Sequence, residues 1–269
     1  MTIKTYGVTS PTADGATLAQ EELARNGFAV LRGALSLSVV AAMREALDRL
    51  LTVQTARFGG EERLSEIGDA WLVRAPLQEE PIFLELLRLP ALDVIVEATL
   101  GPAALVMQQN GIILPPMAAT HHQQSWHRDL PYQEFTSSKP IALGSLAVLD
   151  SFTADSGGTR FLPGSHRHES FPSEDYVARW AYQPEAAAGD VVVFDAMVFH
   201  AGGVNSGQFP RRAVNTLFGI PLLAQQVALT AKPDMDPKMR RRLGLDYQPA
   251  AGADAWRAAR HARLHGKKP

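Results

Sequence analysis

Gly189-Asp190-Val191-Val192-Val193-Phe194-Asp195-Ala196-Met197-Val198-Phe199-His200 is the stretch on which the fold turns. Gly-Asp marks a turn, and the run behind it is almost wholly apolar, which predicts a strand over residues 191–199. The run ends in a histidine. An imidazole beside so apolar a segment costs free energy unless it finds a partner, and both a backbone carbonyl and a metal ion qualify.

Working outward, similar short β-like runs occupy residues 104–114, 141–152, 159–162 and 213–220, separated by Pro, Gly, Ser and Asp clusters. Many short strands without alternating long helices argue for an antiparallel sandwich or barrel, not a Rossmann-type sheet. Before them, residues 1–16 read as an irregular arm. Thr17 is placed to cap a short helix through Arg25, with Gly27 as its stop and Phe28-Ala-Val-Leu31 as a strand. Ser36 opens an amphipathic helix to about Thr52, and residues 56–78, with Gly59-Gly60 and mixed charge, read as a mobile loop. Residues 79–100 predict two short helices broken at Pro90. The expectation is one domain over residues 1–269, mainly β with flanking helices. It has a helical part at 17–100, a β-core at 101–221 and a second helical part at 222–264.

Composition removes whole classes of function. Of 269 residues, 46% are hydrophobic and 20% charged, enough to bury a substantial core, and the formal net charge of −2 offers no field for nucleic acid or an anionic membrane. The basic stretch from Arg257 to Lys268 reads as a solvated helix end and tail. The chain has no cysteine, which excludes disulfides, thiolate metal sites and a cysteine nucleophile together. With no signal-like N-terminus and no membrane-length apolar run, a cytoplasmic location is expected.

The second stretch that carries chemistry is Gln123-Gln124-Ser125-Trp126-His127-Arg128-Asp129. Residues two apart on a strand share a face, so His127 and Asp129 are able to bind one metal ion together. With His200 they make a 2-His-1-carboxylate set, which leaves three cis positions open on iron(II). Taken alone, a His-x-Asp tripeptide is weak evidence and is more often a chance occurrence or a surface hydrogen-bonding pair. Arg211 opens the next predicted strand beside Arg212. Strand alternation turns one arginine in and the other out, and a buried guanidinium requires a carboxylate partner. His121 and His122 read as loop residues, and His166 as serving its own turn.

Trp126-His-Arg-Asp129, Ser156-Gly-Gly-Thr-Arg-Phe-Leu-Pro-Gly-Ser-His166 and Gly189-Asp…Phe199-His200…Pro210-Arg211 together resemble the phytanoyl-CoA dioxygenase family. The resemblance covers roughly residues 20–225, with the three motifs in family order. It implies a double-stranded β-helix (jelly-roll, cupin-like) core, Fe(II) held by His127, Asp129 and His200, and 2-oxoglutarate clamped by Arg211. Gln124 and Thr159 match positions that contact 2-oxoglutarate in small-molecule hydroxylases of the family. Gly202 departs from it: many relatives carry Ser or Thr two residues after the distal histidine. Asp129 stands where halogenating relatives have Ala or Gly, so hydroxylation or another oxygenation is implied.

Trp126, Arg128, Tyr132 and Arg160 border the expected metal site and are candidate substrate contacts, with Trp71 and Arg74 as parts of a lid. The expected reaction is a dioxygenase hydroxylating a small-molecule metabolite with O2 and 2-oxoglutarate, releasing succinate and CO2. No basic cluster near the expected mouth suits a CoA phosphate. A zinc hydrolase with the same three ligands leaves Arg211 without a task, and a non-catalytic cupin-like binding protein is the third alternative. The oligomeric state is left open.

Overall fold

The computed structural model describes residues 14–117, 122–130, 133–230 and 235–265. Helix α1 (Gly15–Asn26) leads through Gly27 into β1 (Phe28–Leu31), followed by α2 (Leu37–Phe58), α3 (Glu61–Glu66) and β2 (Leu72–Arg74). Next come α4 (Pro76–Glu79), a 3-10 segment (Pro81–Arg88) and α5 (Pro90–Leu100). The β-core then runs through β3 (Leu105–Leu114), β4 (Ala142–Val148), β5 (Arg160–Phe161), β6 (Val191–Asp195), β7 (His200–Ala201) and β8 (Arg211–Gly219), with α6 (Glu174–Trp180) between β5 and β6. Helices α7 (Pro237–Arg242) and α8 (Ala253–His265) follow.

Six strands form one antiparallel sheet in the order β1-β6-β4-β8-β3-β2, and β5 and β7 pair in a second. A bridge between His127 and His200 extends the small sheet by the His-x-Asp segment. The two sheets face each other across Leu146, Phe161, Val192, Phe194 and Ala213, all buried. Helices cover the opposite face of the large sheet, where Leu143, Val193, Val214 and Phe218 pack with Met43 and Leu47 of α2 and Ile95 of α5. Burial of both faces explains why β6 reads as a continuous apolar run rather than an alternating one. The antiparallel β-core with flanking helices expected from the sequence is therefore what the chain forms.

The Gly-Asp turn has a steric cause. Gly189 has φ +98°, and a Cβ there would lie 2.7 Å from the carbonyl oxygen of Leu35. Asp190 then accepts hydrogen bonds from Gly33 N and Arg32 Nη1, each at 2.8 Å, and from Ala187 N at 2.9 Å.

Four sequence expectations need correction. Asp14, not Thr17, caps α1, its carboxylate accepting from Thr17 N at 2.8 Å. Helix α2 runs past Thr52 to Phe58 because its last polar side chains have work to do. Gln54 bonds both backbone groups of Arg74, at 2.9 and 2.8 Å, and Arg57 pairs with Glu79. Residues 56–78 are consequently no loop: they carry the end of α2, then α3, β2 and most of the short α4, and β2 is hydrogen-bonded onto β3. The predicted strand 191–199 breaks at Asp195, whose carboxylate accepts from Met197 N at 2.9 Å and turns the chain before β7. No helix among the described residues is long and apolar enough to cross a membrane.

Candidate active site

Alternation and one bridge assemble the centre. His127 and Asp129 point from the same face of an extended segment, and the His127–His200 bridge sets the second imidazole opposite the first. Ligand atoms of His127, Asp129 and His200 lie within 4.8 Å of one another. Each imidazole is oriented from behind by a backbone carbonyl: His127 Nδ1 meets Ser125 O at 2.8 Å and His200 Nδ1 meets Val198 O at 3.0 Å. Fixing Nδ1 on a carbonyl sets the tautomer and leaves Nε2 as the ligand atom, the arrangement typical of metal-bound histidine. Backbone bonds lock the frame: His127 N to His200 O (2.9 Å), His200 N to His127 O (3.0 Å) and Asp129 N to Ala196 O (3.0 Å).

Asp129 Oδ1 stands 3.4 Å from His200 Nε2, while Oδ2 is buried without a hydrogen bond. Burial pushes the Asp129 carboxyl upward, but His200, His127 and the Asn215 amide outweigh it and hold the group below the ordinary carboxylate range. Burial likewise pushes His200 down, and Asp129 with the Val198 carbonyl brings it above the usual imidazole value. A cation at this point would answer the carboxylate and the two Nε2 atoms together. A buried carboxylate with an orphaned oxygen and two carbonyl-oriented imidazoles therefore fit a divalent metal ion.

The three candidate ligands open into a pocket walled also by Arg211, Thr159, Gln123, Gln124, Gly202, Gly203, Asn215 and the apolar Ile112, Leu114, Leu146 and Phe194. Arg211 is buried, with its guanidinium 5.1 Å from the centre of the Phe152 ring. Arg211 Nη2 donates to Gly157 O at 2.8 Å, and its buried Nε has no partner. Burial brings its pKa down to about 10, against only a weak opposing pull from Asp150. A desolvated guanidinium facing a pocket without an ion-pair partner fits an anionic ligand such as a carboxylate. The Cβ absent from Gly202 would lie 3.3 Å from the carbonyl oxygen of Gln123, which itself accepts from Gly202 N. The loop bearing Gln123 and Gln124 fills the space that a larger residue at 202 would need.

The sequence-based substrate candidates fall elsewhere. Arg128, facing away from the ligand pair, stacks 4.0 Å from the Phe199 ring centre. It donates to the carbonyls of Met197, Phe135, Glu169, Ser165, Gln133 and His168. Arg128 is thus a staple of the loops behind the site, not a wall of it. Trp126 and Arg160 share that outer face, since Phe161 pairs with His200 and Arg160 with Ala201. The Arg160 guanidinium lies 5.4 Å from the Trp126 ring centre, and neither residue lines the pocket. Trp71 Nε1 donates to Glu61 at 3.0 Å, and Arg74 is held by Asp69, so both belong to the body that was expected to be a lid. Tyr132 and His121 lie outside the described residues.

The Pro163-Gly164-Ser165-His166 turn has a clear role: Ser165 Oγ accepts from Phe199 N at 2.8 Å, and Gly164 N donates to Asn26 O at 2.8 Å. It fixes the residue just before His200. Among the pocket residues that escaped the sequence reading are Asn215 and Phe194. Phe194 packs with its ring centre 4.9 Å from that of His200. The period of two from Arg211 through Ala213 places Asn215 on the inner face and was the available signal.

Comparison with known proteins decides the family. The sequence profile of the phytanoyl-CoA dioxygenase (PhyH) family matches residues 23–213. This chain belongs to that family. It is 33% identical over 214 residues to an uncharacterized protein of Mycobacterium tuberculosis, covering 77% of each chain. It is 26% identical over 231 residues to the dioxygenase aneA of Aspergillus aculeatus, covering 81% of this chain and 75% of that one. Among solved structures, EctD from S. alaskensis, bound to 2-oxoglutarate and 5-hydroxyectoine, superposes with a TM-score of 0.65 at 21% identity over 80% of each chain. EvdO2 from Micromonospora carbonacea var. aurantiaca, complexed with 2-oxoglutarate, gives 0.60 at 24% identity over 86% of this chain and 97% of that one. At such identities the likeness establishes the shared jelly-roll fold of these oxygenases, and the family membership marks the PhyH member described here as an oxygenase.

Proposed function

We propose that this oxygenase hydroxylates a small-molecule metabolite, using iron(II), 2-oxoglutarate and O2 and releasing succinate and CO2. The observation that carries the reading is Arg211: a buried guanidinium with no acidic partner among the described residues, in the same pocket as His127, Asp129 and His200. Such a charge is costly in isolation and becomes favourable when a dicarboxylate enters. His127, Asp129 and His200 would hold the iron, and Arg211 the far carboxylate of 2-oxoglutarate, with Thr159 and Gln124 within the same pocket to receive its remaining oxygens.

Iron(II), when bound, supplies the activation of dioxygen, with 2-oxoglutarate as the co-reductant. Atoms balance as R–H plus O2 plus 2-oxoglutarate giving R–OH, succinate and CO2. The chain's own part is to bind, orient and keep water away. Backbone carbonyls fix both imidazoles, and Ile112, Leu114, Leu146 and Phe194 supply dry walls. Arg211 sets where the cosubstrate lies.

Substrate size follows from what the cations are doing. Arg128 is consumed by carbonyls, Arg74 by Asp69, and Arg160 stands on the outer face, so none of the three is left to meet a CoA phosphate at the pocket. That favours a free metabolite. Succinate release across a metabolite panel, scored above uncoupled turnover, tests the reading. Substrate-dependent succinate with a product 16 mass units heavier, on the order of one atom of oxygen gained per succinate, supports it. Iron-independent activity, or hydrolysis supported by zinc alone, would replace it with the hydrolase.

A further inference from the structure

Between β7 and β8 the chain crosses from Gly203 to Arg211 with no apolar side chain to hold it down. Val204 and Phe209 are 57% and 79% exposed, and Asn205 is the one buried side chain from Val204 to Pro210. A buried amide lowers stability unless its donors and acceptor are satisfied, and here each of them is. Nδ2 donates to the carbonyls of Leu114 at 3.0 Å and Phe209 at 2.8 Å, and Oδ1 accepts from Gly207 N at 3.1 Å. The backbone of Asn205 is used as well. Its carbonyl accepts from Met117 N at 2.8 Å, and the residue forms a bridge with Ser156.

These partners converge on one residue. Leu114 stands opposite Arg211 in the β3–β8 register, and Phe209 comes two residues before it. Gly157, next to Ser156, supplies the carbonyl that accepts from Arg211 Nη2 at 2.8 Å. The two segments pass so closely that a Cβ on Gly157 would lie 2.8 Å from Asn205 N. The base of the Arg211 side chain and the carbonyl that holds its tip are therefore both referred to Asn205.

We propose that Asn205 is a positioning residue for Arg211: its amide fixes where β8 begins, and its backbone fixes the segment that aims the guanidinium. The inference rests on Arg211 being the clamp for 2-oxoglutarate. A guanidinium meets a carboxylate through two parallel hydrogen bonds, and such a fork tolerates little displacement. A misplacement of about an ångström in a well-aligned site costs up to roughly a hundred-fold. None of the Asn205 side-chain bonds reaches His127, Asp129 or His200, so metal binding should not register their loss.

The test is a double-mutant cycle. Asn205→Leu, close in size and without hydrogen-bonding groups, is made in wild type and in Arg211→Ala. Each protein is read by Tm, by anaerobic iron(II) titration and by the 2-oxoglutarate needed to develop the visible band with iron(II). In wild type the leucine should lower Tm and weaken 2-oxoglutarate binding by about 10–100-fold. Iron(II) affinity should stay within about two-fold. In Arg211→Ala the same substitution should change 2-oxoglutarate binding by no more than about two-fold, because the group it positions is gone. A 2-oxoglutarate affinity unchanged by Asn205→Leu in wild type overturns the proposal. So do equal losses in both backgrounds, or an iron affinity that falls alongside, which make Asn205 a general support of the loop. Should the leucine variant fail to fold, Asn205→Ser, which keeps a hydroxyl, is read by the same criteria. If Arg211→Ala itself leaves 2-oxoglutarate binding unchanged, the clamp reading fails and takes the positioning role with it. A weakened Arg211 variant beside an unaffected Asn205 variant removes only the positioning role.

Discussion

Arg211 and Arg212 are neighbours on one strand and live in opposite environments. Arg212 lies on the helix-covered face and is saturated: Nε and Nη2 bond Asp48 of α2 at 2.8 and 3.0 Å, and Nη1 meets Asp150 at 3.1 Å. Those acids raise its pKa, led by the hydrogen bonds that Arg212 donates to Asp48. Arg211 points inward, meets one carbonyl and no acid among the described residues, and burial lowers its pKa. The same division separates His127 and Asp129 from Arg128. On β8 and the His-x-Asp segment one face holds an arginine answered by the protein, Arg212 by acids and Arg128 by carbonyls, while the other keeps charges that await a ligand. An unanswered buried charge is thus a better pointer to the site than the charge itself.

The comparison breaks hardest at the metal set. Asp129→Ala or His200→Ala should abolish iron retention while leaving the fold, a larger loss than the roughly 10–100-fold associated with outer partners. Metal analysis after desalting, beside a circular-dichroism melt, checks it, and a variant that keeps both iron and turnover would remove the assignment. Arg211→Ala comes next. Losing one partner of a buried, charge-assisted pair costs on the order of 3–5 kcal/mol. The apparent 2-oxoglutarate requirement should therefore rise by roughly two to three powers of ten, with iron binding nearly untouched.

A third test concerns Asp195, the buried acid at the turn leading to His200. Burial, opposed by the Met197 N–H and by Arg128 and Arg167, pushes it up to about 6. A carboxyl raised in the folded state binds its proton more tightly there than in the unfolded chain. Its contribution to stability is full below about pH 4 and is lost as pH climbs through about 6, a change of about 3 kcal/mol. Asp195→Asn keeps an acceptor for Met197 N and lacks that titration. Its melting temperature should match wild type near pH 4 and exceed it at pH 8; equal melting at both would show that the carboxyl is not destabilised by burial. The smallest effect belongs to Arg212→Ala. It should leave 2-oxoglutarate affinity within about three-fold and cost about 1 kcal/mol or less of stability, as partly exposed ion pairs do. A swap of behaviour between the two arginine variants would mean that the inward residue of β8 has been misassigned.

Much of this division was legible in the residues themselves. The Gly-Asp turn, the apolar run to His200 and the spaced short strands pointed to an antiparallel core, and the His-x-Asp segment with His200, read beside the family resemblance, pointed to the three side chains that the fold brings together. Residues 56–78 were not legible. Their charges and paired glycines look like a loop, yet Gly59 caps α2 and the charged side chains are spent on local pairs such as Trp71 with Glu61 and Arg74 with Asp69. Trp126, Arg128 and Arg160 were misplaced for a different reason. Nearness in sequence to a ligand says nothing about face, and the cross-strand register that decides it lies in tertiary pairing. Asn215 was missed although the same alternation that turned Arg211 inward already implied it.

The most direct measurement is an anaerobic titration of the apoprotein with iron(II) and 2-oxoglutarate, followed by visible absorption. A weak metal-to-ligand band should appear only when both are present. It should be lost in Asp129→Ala, and should need far more 2-oxoglutarate in Arg211→Ala but not in Arg212→Ala. No band in the wild type, or a band indifferent to Asp129 and Arg211, would contradict the metal and cosubstrate assignment.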